Sequence, residues 1–440
     1  MTGRIFAMVR AQLLTDVTAM GGSPLEELEK RDLVAQISDR EGLDAHLVAG
    51  SRTLYCGFDP TADSLQAGNL VPLLALRRFQ QLGHRPIALV GGATGLIGDP
   101  SFKADERSLN DRDLVADWVE RIRAQVSRFI DLEGNNAGLV VNNLDWTREL
   151  DVITFLRDIG KHFSVNAMTR KESVRVRLER DDSGISYTEF SYMILQSMDF
   201  LELARRYDCT LQVGGSDQWG NITGGMDLVR RVLQQDCFAF TVPLVTQSDG
   251  TKFGKTESGT VWLDATKTSP YRFYQFWLNT ADADVVNFLK VFSFVELEEI
   301  DALGVEVAEQ PQRRAAQRRL AEAVTGLVHD SEGLAAAKRI SGALFGGAIR
   351  SLTESDLEQL RQDGISCTTI TDDRLLTVLV ESPLAHSRGA ARKLVQSKGI
   401  RVNDALIEAT DAILEPDAAL HGRYHLIRRG KKAWHLAVHG

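Results

Sequence analysis

Apolar and polar positions along the first two thirds of the chain switch between two periods. Residues 53–57 (Thr-Leu-Tyr-Cys-Gly) are a largely apolar run ending at Phe58-Asp59-Pro60, the pattern of a strand entering a turn. From Leu70 to Leu82 the apolar residues recur at helical spacing, and Arg85 to Val90 is a second short run, closed by Gly91-Gly92. Strand, helix and strand at this spacing predict a βαβ unit, hence a parallel sheet with right-handed crossovers. The alternation continues with a strand at Leu139 to Asn142, helices over about 125–165 and 188–206, and a strand from Thr210 to Val213 that runs into Gly214-Gly215. The expected fold class is an open α/β sheet, in which ligands sit at the carboxyl ends of the strands.

The pattern changes after residue 270. Residues 271–345 are mostly helical, with Arg313 to Val328 charged, Ala-rich and amphipathic. Residues 346–372 are short, polar and Gly-punctuated, which predicts a linker. A compact α/β tail is expected over 373–440. At the other end the first patterned helix starts at Ser23-Pro24, with Ser23 as cap and Pro24 in the first helical position. Residues 1–22 therefore read as an appendage, and they lack the apolar core and cleavage pattern of a signal peptide. Residues 23–248 are expected to form the α/β domain, and 249–270 a mobile loop and connector.

A chain of 440 residues is long enough for two to four domains, and 43% hydrophobic with 25% charged residues is the composition of a globular protein, not a disordered one. No apolar stretch approaches the length of a membrane span. The net charge of -9 excludes a uniformly basic coat, but it is unevenly spread. From His386 onward there are ten Lys and Arg against five Asp and Glu, a net of +5, so the remainder carries about -14. Arg388, Arg392, Lys393, Arg428, Arg429, Lys431 and Lys432, close in sequence to Tyr424 and Trp434, predict an RNA-binding face on the tail. Cys56, Cys209, Cys237 and Cys367 are widely spaced and form no C-x-x-C pair, which points to a reducing, cytoplasmic setting.

Several segments carry candidate chemistry. Gly91-Gly-Ala-Thr-Gly-Leu-Ile-Gly-Asp99-Pro-Ser101 follows a strand but fits neither the dinucleotide fingerprint nor the P-loop spacing. It leaves Asp99 as a carboxylate at the ligand edge, with helix capping as the alternative role. Thr251-Lys252-Phe-Gly-Lys255-Thr256 places two lysines three apart beside a hydroxyl, in a glycine-flanked segment suited to closing over a polyphosphate. His421/His425 and His435/His439 are four apart, yet their surroundings read as strands and no Cys or carboxylate cluster joins them, so no metal site is expected. Ser216 in Gly214-Gly215-Ser216-Asp217 is no nucleophile elbow, and no nucleophilic triad is evident.

Together these segments resemble the bacterial tyrosyl-tRNA synthetases from about Leu25 to the end of the chain. The resemblance rests on Leu54-Tyr-Cys-Gly-Phe-Asp-Pro-Thr-Ala-Asp-Ser-Leu65, Gly91 to Pro100, Tyr187-Thr-Glu-Phe-Ser-Tyr-Met-Ile-Leu-Gln196, Gly214-Gly-Ser-Asp-Gln-Trp-Gly-Asn-Ile222 and Lys252-Phe-Gly-Lys-Thr256. It implies a Rossmann-like class I catalytic domain, a helical anticodon-binding domain and a small S4-like RNA-binding domain. It also implies a two-step reaction, in which tyrosine and ATP give tyrosyl-adenylate and the tyrosyl group then passes to tRNA(Tyr). ATP would be a substrate accompanied by Mg2+, and the enzyme a homodimer. Under this resemblance Tyr55 and Asp199 hold the phenolic hydroxyl; Asp99, Tyr192 and Gln196 the ammonium group; and Gln218 lies by the carboxylate. Cys56, Gly57, Asp59, Gln66, Asn69, Gly215 and Asp217 line the nucleotide side, and Thr61, Lys252, Lys255 and Thr256 meet the phosphates, with Lys252, Lys255 and Thr61 carrying the catalysis. Tyrosine's own carboxylate is the nucleophile, consistent with the absence of a triad.

One motif departs from the family. The first class I signature, His-x-Gly-His, is here Gln66-Ala67-Gly68-Asn69. Amides donate hydrogen bonds but carry no charge. Losing one charge-assisted bond costs ~1.5–3 kcal/mol, roughly 10- to 150-fold in rate. Met198, beside Asp199 where family members often carry Tyr, is a second departure, read as packing. The expectation is a tyrosine-activating enzyme, the alternative a relative that binds tyrosine and RNA with little catalysis.

Overall fold

Six strands build the first sheet: β1 (Gln36–Ile37), β2 (Thr53–Phe58), β3 (Arg85–Val90), β4 (Leu139–Asn142), β5 (Cys209–Gly215) and β6 (Phe238–Val242). The computed structural model describes residues 23–99, 111–179, 185–248, 250–251, 253–256 and 259–440. The strand order is β1-β6-β5-β2-β3-β4, parallel throughout except for β1, which runs antiparallel to β6. Strands covered on both faces lose the in-out alternation. Accordingly, Pro86 to Val90 of β3 and Cys209 to Gly214 of β5 are all buried.

The helices α1 (Leu70–Gln81), α2 (Arg112–Val126), α3 (Tyr187–Tyr207) and α4 (Trp219–Leu233) connect or follow these strands. Phe200, Leu201 and Leu203 of α3 are fully buried in a core shared with Tyr55, Ile87 and Leu89, and each contributes ~1.5–3 kcal/mol by leaving water. The helices expected over about 125–165 are shorter than the pattern suggests. α2 already stops at Val126, and after β4 only short turns form, at Leu144–Thr147, Val152–Thr154 and Phe155–Ile159. Gly134, at φ 91°, breaks the run, and Asp151 starts a new helical turn by accepting from the Ile153 and Thr154 amides.

From β2 the chain steps one way to β3 and β4, and then the other way to β5 and β6. The crevice between the ends of β2 and β5 is thus the topological switch point, where open α/β sheets bind ligands.

By its internal contacts the chain divides into one unit of residues 1–260 with 287–292 and another of 261–286 with 293–440. A two-strand hairpin, β7 (Lys255–Thr256) and β8 (Gly259–Thr260), closes the first stretch. Next come α5 (Pro270–Leu278), capped by Ser269, then α6 (Asp282–Phe292), α7 (Leu297–Glu309) and α8 (Ala315–Gly346). α8 bends at Asp330, which takes φ 60° while its carboxylate caps the amides of Glu332 and Gly333.

The second sheet has the order β11-β10-β12-β13-β9, formed by β9 (Ser366–Thr369), β10 (Ile400–Val402), β11 (Ala405–Leu406), β12 (Tyr424–Arg429) and β13 (Ala433–Val438). Two helices, α9 (Leu375–Glu381) and α10 (Arg388–Gln396), accompany it. The stretch 346–372, expected as a linker, is built instead. It holds a helix over Glu354–Gln359, and β9, which pairs parallel to β13. Its polar residues cap: Thr353 and Asp356 bond each other's backbone amides, and Leu357 and Leu360 fill the core.

Candidate active site

The carboxyl ends of β2, β3, β4 and β5 bring the predicted residues together. From β2 come Tyr55 and Cys56, both buried, then Gly57, Asp59 and an exposed Thr61 in the following turn. From β3 comes the glycine-rich turn up to Asp99, and from β5 come Gly215, Asp217 and Gln218. The turn after β3 is glycine-rich because of crowding. A side chain at Gly91 would sit 2.0 Å from Asp59 Oδ1. That close approach lets Asp59 accept from Thr94 Oγ1 at 2.6 Å while its other oxygen accepts from the Tyr192 hydroxyl at 2.7 Å.

A continuous buried polar network runs from Asp59 to Asp199. Asn143 Nδ2 donates both to Thr94 Oγ1 and to Asp199 Oδ2 at 3.0 Å, and its Oδ1 accepts from the Ala93 amide at 2.7 Å. Trp146 Nε1 donates to Asp199 Oδ1 at 2.9 Å. Burial pushes the Asp199 carboxyl up to about 7, against the pull of these two donors, which favour the charged form. Beside it the Tyr55 hydroxyl is buried with no hydrogen-bond partner among the described residues, its ring 5.3 Å from that of Phe200. Burial and the Asp199 charge hold this phenol well above its ordinary range, so it stays protonated. An orphaned buried hydroxyl near a buried carboxyl leaves hydrogen-bonding capacity unused.

A second polar group gathers around Gln218. Gln218 Nε2 donates to Asp99 Oδ2 at 2.8 Å, and Gln218 Oε1 accepts from Asn221 Nδ2 at 3.1 Å. Gln196 Oε1 is buried and has no hydrogen-bond partner among the described residues. The Tyr192 hydroxyl, already donating to Asp59, keeps its lone pairs for an incoming donor. The Cys56 thiol is pushed up to about 12 by burial and by Asp217, and so is present as a neutral thiol.

The Gln66-Ala-Gly-Asn69 turn is a single 3-10 turn leading into α1, and Asn69 Oδ1 accepts from the Gln66 amide at 2.9 Å. Its oxygen is thus engaged in the turn, which leaves the Nδ2 end to donate. The second signature approaches this turn. Gly254, at φ 78°, lies so close that an added methyl would be 3.7 Å from the Gly68 amide. Phe253 anchors it, stacked on Phe292 at 4.8 Å and edge-on to Phe288 at 5.1 Å. Lys252, Pro100 and Ser101, with the side chains of Lys255 and Thr256, lie outside the described residues.

Met198 is 3% exposed and packs in the core, as expected. Thr94, Asn143 and Trp146 belong to the site but are missed by motif reading. Their signal is positional, since Asn143 and Trp146 directly follow β4 at the ligand edge. A cavity of about 640 Å³ lined by Trp146, Met198, Glu202 and Arg206 contains none of the predicted site residues.

In the second unit Arg388, Arg392 and Lys393 are exposed on α10, and Arg429, Lys431 and Lys432 are exposed around the β12–β13 turn. Arg428 lies over the Trp434 ring at 5.1 Å. His421 bonds the Leu352 carbonyl, and His435 lies between Ser366 and Thr368. Among the described residues no three His, Cys, Asp or Glu side chains are placed to hold a metal, and no helix is long and apolar enough to cross a membrane.

Comparison with known proteins agrees with this geometry. Residues 49–346 match the family model for tRNA synthetases class I (W and Y), and residues 356–437 match that for the tyrosine–tRNA ligase SYY-like C-terminal domain. The chain is 57% identical over 417 residues to a tyrosine–tRNA ligase of Aliivibrio fischeri, covering 94% of this chain and 98% of that one. It is 56% identical over 414 residues to that of Yersinia enterocolitica, with 94% and 98% covered. Among solved structures, a truncated mitochondrial tyrosyl-tRNA synthetase from Coccidioides posadasii is similar, at 30% identity and a TM-score of 0.65 over 76% of this chain and 97% of that one. The sheet, the site at its switch point and these relatives make the chain a member of the bacterial tyrosine–tRNA ligase family, within the class I aminoacyl-tRNA synthetases.

Proposed function

We propose that the site carries out the family's reaction with a division of labour set by its polar groups. The enzyme activates L-tyrosine with ATP, releasing pyrophosphate, and transfers the tyrosyl group to tRNA(Tyr). One observation carries the assignment of the phenol socket: the orphaned Tyr55 hydroxyl beside buried Asp199. A substrate hydroxyl between them would satisfy both, whereas phenylalanine would leave them unpaired; the tyrosyl-tRNA synthetases are themselves the standing example of that principle. Asp99, Tyr192 and Gln196 receive the ammonium group, and Gln218 orients near the carboxylate, which attacks the α-phosphorus. Asp59 acts by aligning Tyr192 and Thr94, in addition to its expected place on the nucleotide side.

Cys56, as a neutral thiol, with Gly57, Gly215 and Asp217, faces the ribose. Thr61, Gln66, Asn69, Lys252, Lys255 and Thr256 meet the phosphates and stabilise charge on the leaving pyrophosphate. Mg2+ would arrive as counter-ion of the polyphosphate. The exposed basic groups of α10 and the β12–β13 turn would bind tRNA(Tyr). Val152, Ile153, Leu156, Val165, Leu178 and Tyr187 are all exposed within one stretch of the catalytic unit, and support a homodimer contact there. The setting is cytoplasmic, in line with free Cys56, Cys209, Cys237 and Cys367.

Tyrosine-dependent exchange of labelled pyrophosphate into ATP tests the reading, on the parent and on a Gln66→His, Asn69→His double variant. Robust exchange by the parent, raised by roughly 10- to 150-fold for each restored charge-assisted bond in the double variant, is expected. No exchange by the parent, with tyrosine still bound, would establish the weakly catalytic alternative.

A further inference from the structure

We infer that His425 and His439 together form a chelating site for one borderline divalent transition-metal ion such as Zn2+ or Ni2+. The two residues are far apart in spacing but adjacent in the sheet. His425 lies on β12 opposite Ala437 of β13, and His439 follows β13, its amide donating to the Arg423 carbonyl. Alternation puts Ala437 and His439 on one face, so the two imidazoles are diagonal cross-strand neighbours. Their Nε2 atoms are 3.1 Å apart and their ring centroids 5.1 Å.

That separation fits a shared ion. Metal–nitrogen bonds of about 2.0–2.1 Å to two nitrogens 3.1 Å apart close an angle of about 98° at the metal, between square-planar and tetrahedral values. Without metal, one Nε2 donates its proton to the other. Ligation needs both Nε2 lone pairs, so the donating ring moves its proton to Nδ1 and none is lost overall. The Glu415 backbone favours the charged form of His425, whose Nδ1 is buried without a hydrogen-bond partner among the described residues, so moving a proton there counts against the affinity of the site. His425 is 1% exposed and held by the hairpin, while His439 is half-buried, so solvent reaches the pair and can fill the remaining coordination positions. Two further histidines of this tail are already engaged, His421 with a backbone carbonyl and His435 with two hydroxyls.

The test is calorimetric titration of the full-length, untagged chain with zinc chloride, repeated on His439→Gln and His425→Gln. One equivalent should bind the parent, and each single variant should bind at least roughly tenfold more weakly, because the second attachment is lost. Cobalt(II) should broaden the ring resonances of His425 and His439 before those of the other histidines. His439→Gln alters a half-buried terminal side chain, so unchanged pyrophosphate exchange would show that it is folded and make it decisive even if His425→Gln is not. No binding up to about 1 mM zinc, or binding by His439→Gln equal to the parent's, would overturn the assignment.

Discussion

Tyr55 keeps a hydroxyl that is buried without a hydrogen-bond partner among the described residues. An unsatisfied buried hydroxyl costs ~1–3 kcal/mol. Tyr55→Phe should therefore raise the unfolding free energy of the free protein by on the order of 1 kcal/mol. The same change removes one bond to the substrate phenol, worth ~0.5–1.5 kcal/mol, so tyrosine should bind roughly 2- to 12-fold more weakly. Urea denaturation and equilibrium tyrosine binding read the two effects separately. A variant that loses stability, or binds tyrosine as the parent does, would show that the hydroxyl has another role.

At the scale of elements, the start of α3 is fixed by a buried ion pair. Arg177, on the short helix Glu172–Leu178, donates to Glu189 in the first turn of α3 at 3.0 Å, with both side chains nearly inaccessible. α3 also carries Tyr192, Gln196 and Asp199, so this pair helps set the helix that holds three of the proposed tyrosine contacts. Removing one partner takes a charge-assisted bond from a side chain that stays buried, at a cost of about 3–5 kcal/mol. Glu189→Leu should lose that much in chemical denaturation, and the Arg177→Met, Glu189→Leu double variant should recover most of it. A single variant losing under ~1 kcal/mol would mean that water or another group solvates Arg177.

At the scale of the whole molecule, pH acts through buried histidines in the second unit. His425 and His435 are both pushed down to about 4, by burial above all. Their unfolded value is about 6.5, so as pH falls the unfolded chain takes up these protons first. The stability they confer is complete above about 6.5 and lost as pH falls towards about 4. Thermal midpoints should drop across that window, and His435→Gln, which keeps partners for Ser366 and Thr368, should show a smaller drop. Equal slopes in parent and variant would remove His435 from the account. Asp199 works in the opposite sense: its carboxyl is raised to about 7, so its contribution is present near pH 4 and lost as pH rises through about 7.

Period alone located β2, β3, β4 and β5, the helices α1 and α3, and the ordered motifs that end those strands, because a half- or fully buried element must repeat its apolar residues at its own geometric period. The excess of positive charge in the tail was legible too, since charge is additive along a chain. Pairing across space was not. No local pattern says that Asn143 and Trp146 will hold Asp199, that Asp59 will spend both oxygens on Thr94 and Tyr192, or that β9 will find β13 from within a polar stretch. His425 and His439 repeat the lesson. Read along the strands they are too far from His421 and His435 to share an ion, and only the register of β12 against β13 brings them to 3.1 Å. Burial is the common reason. A side chain's partners, its protonation and the cost of leaving it unpaired are set by which elements enclose it, and that is decided only when the chain has packed.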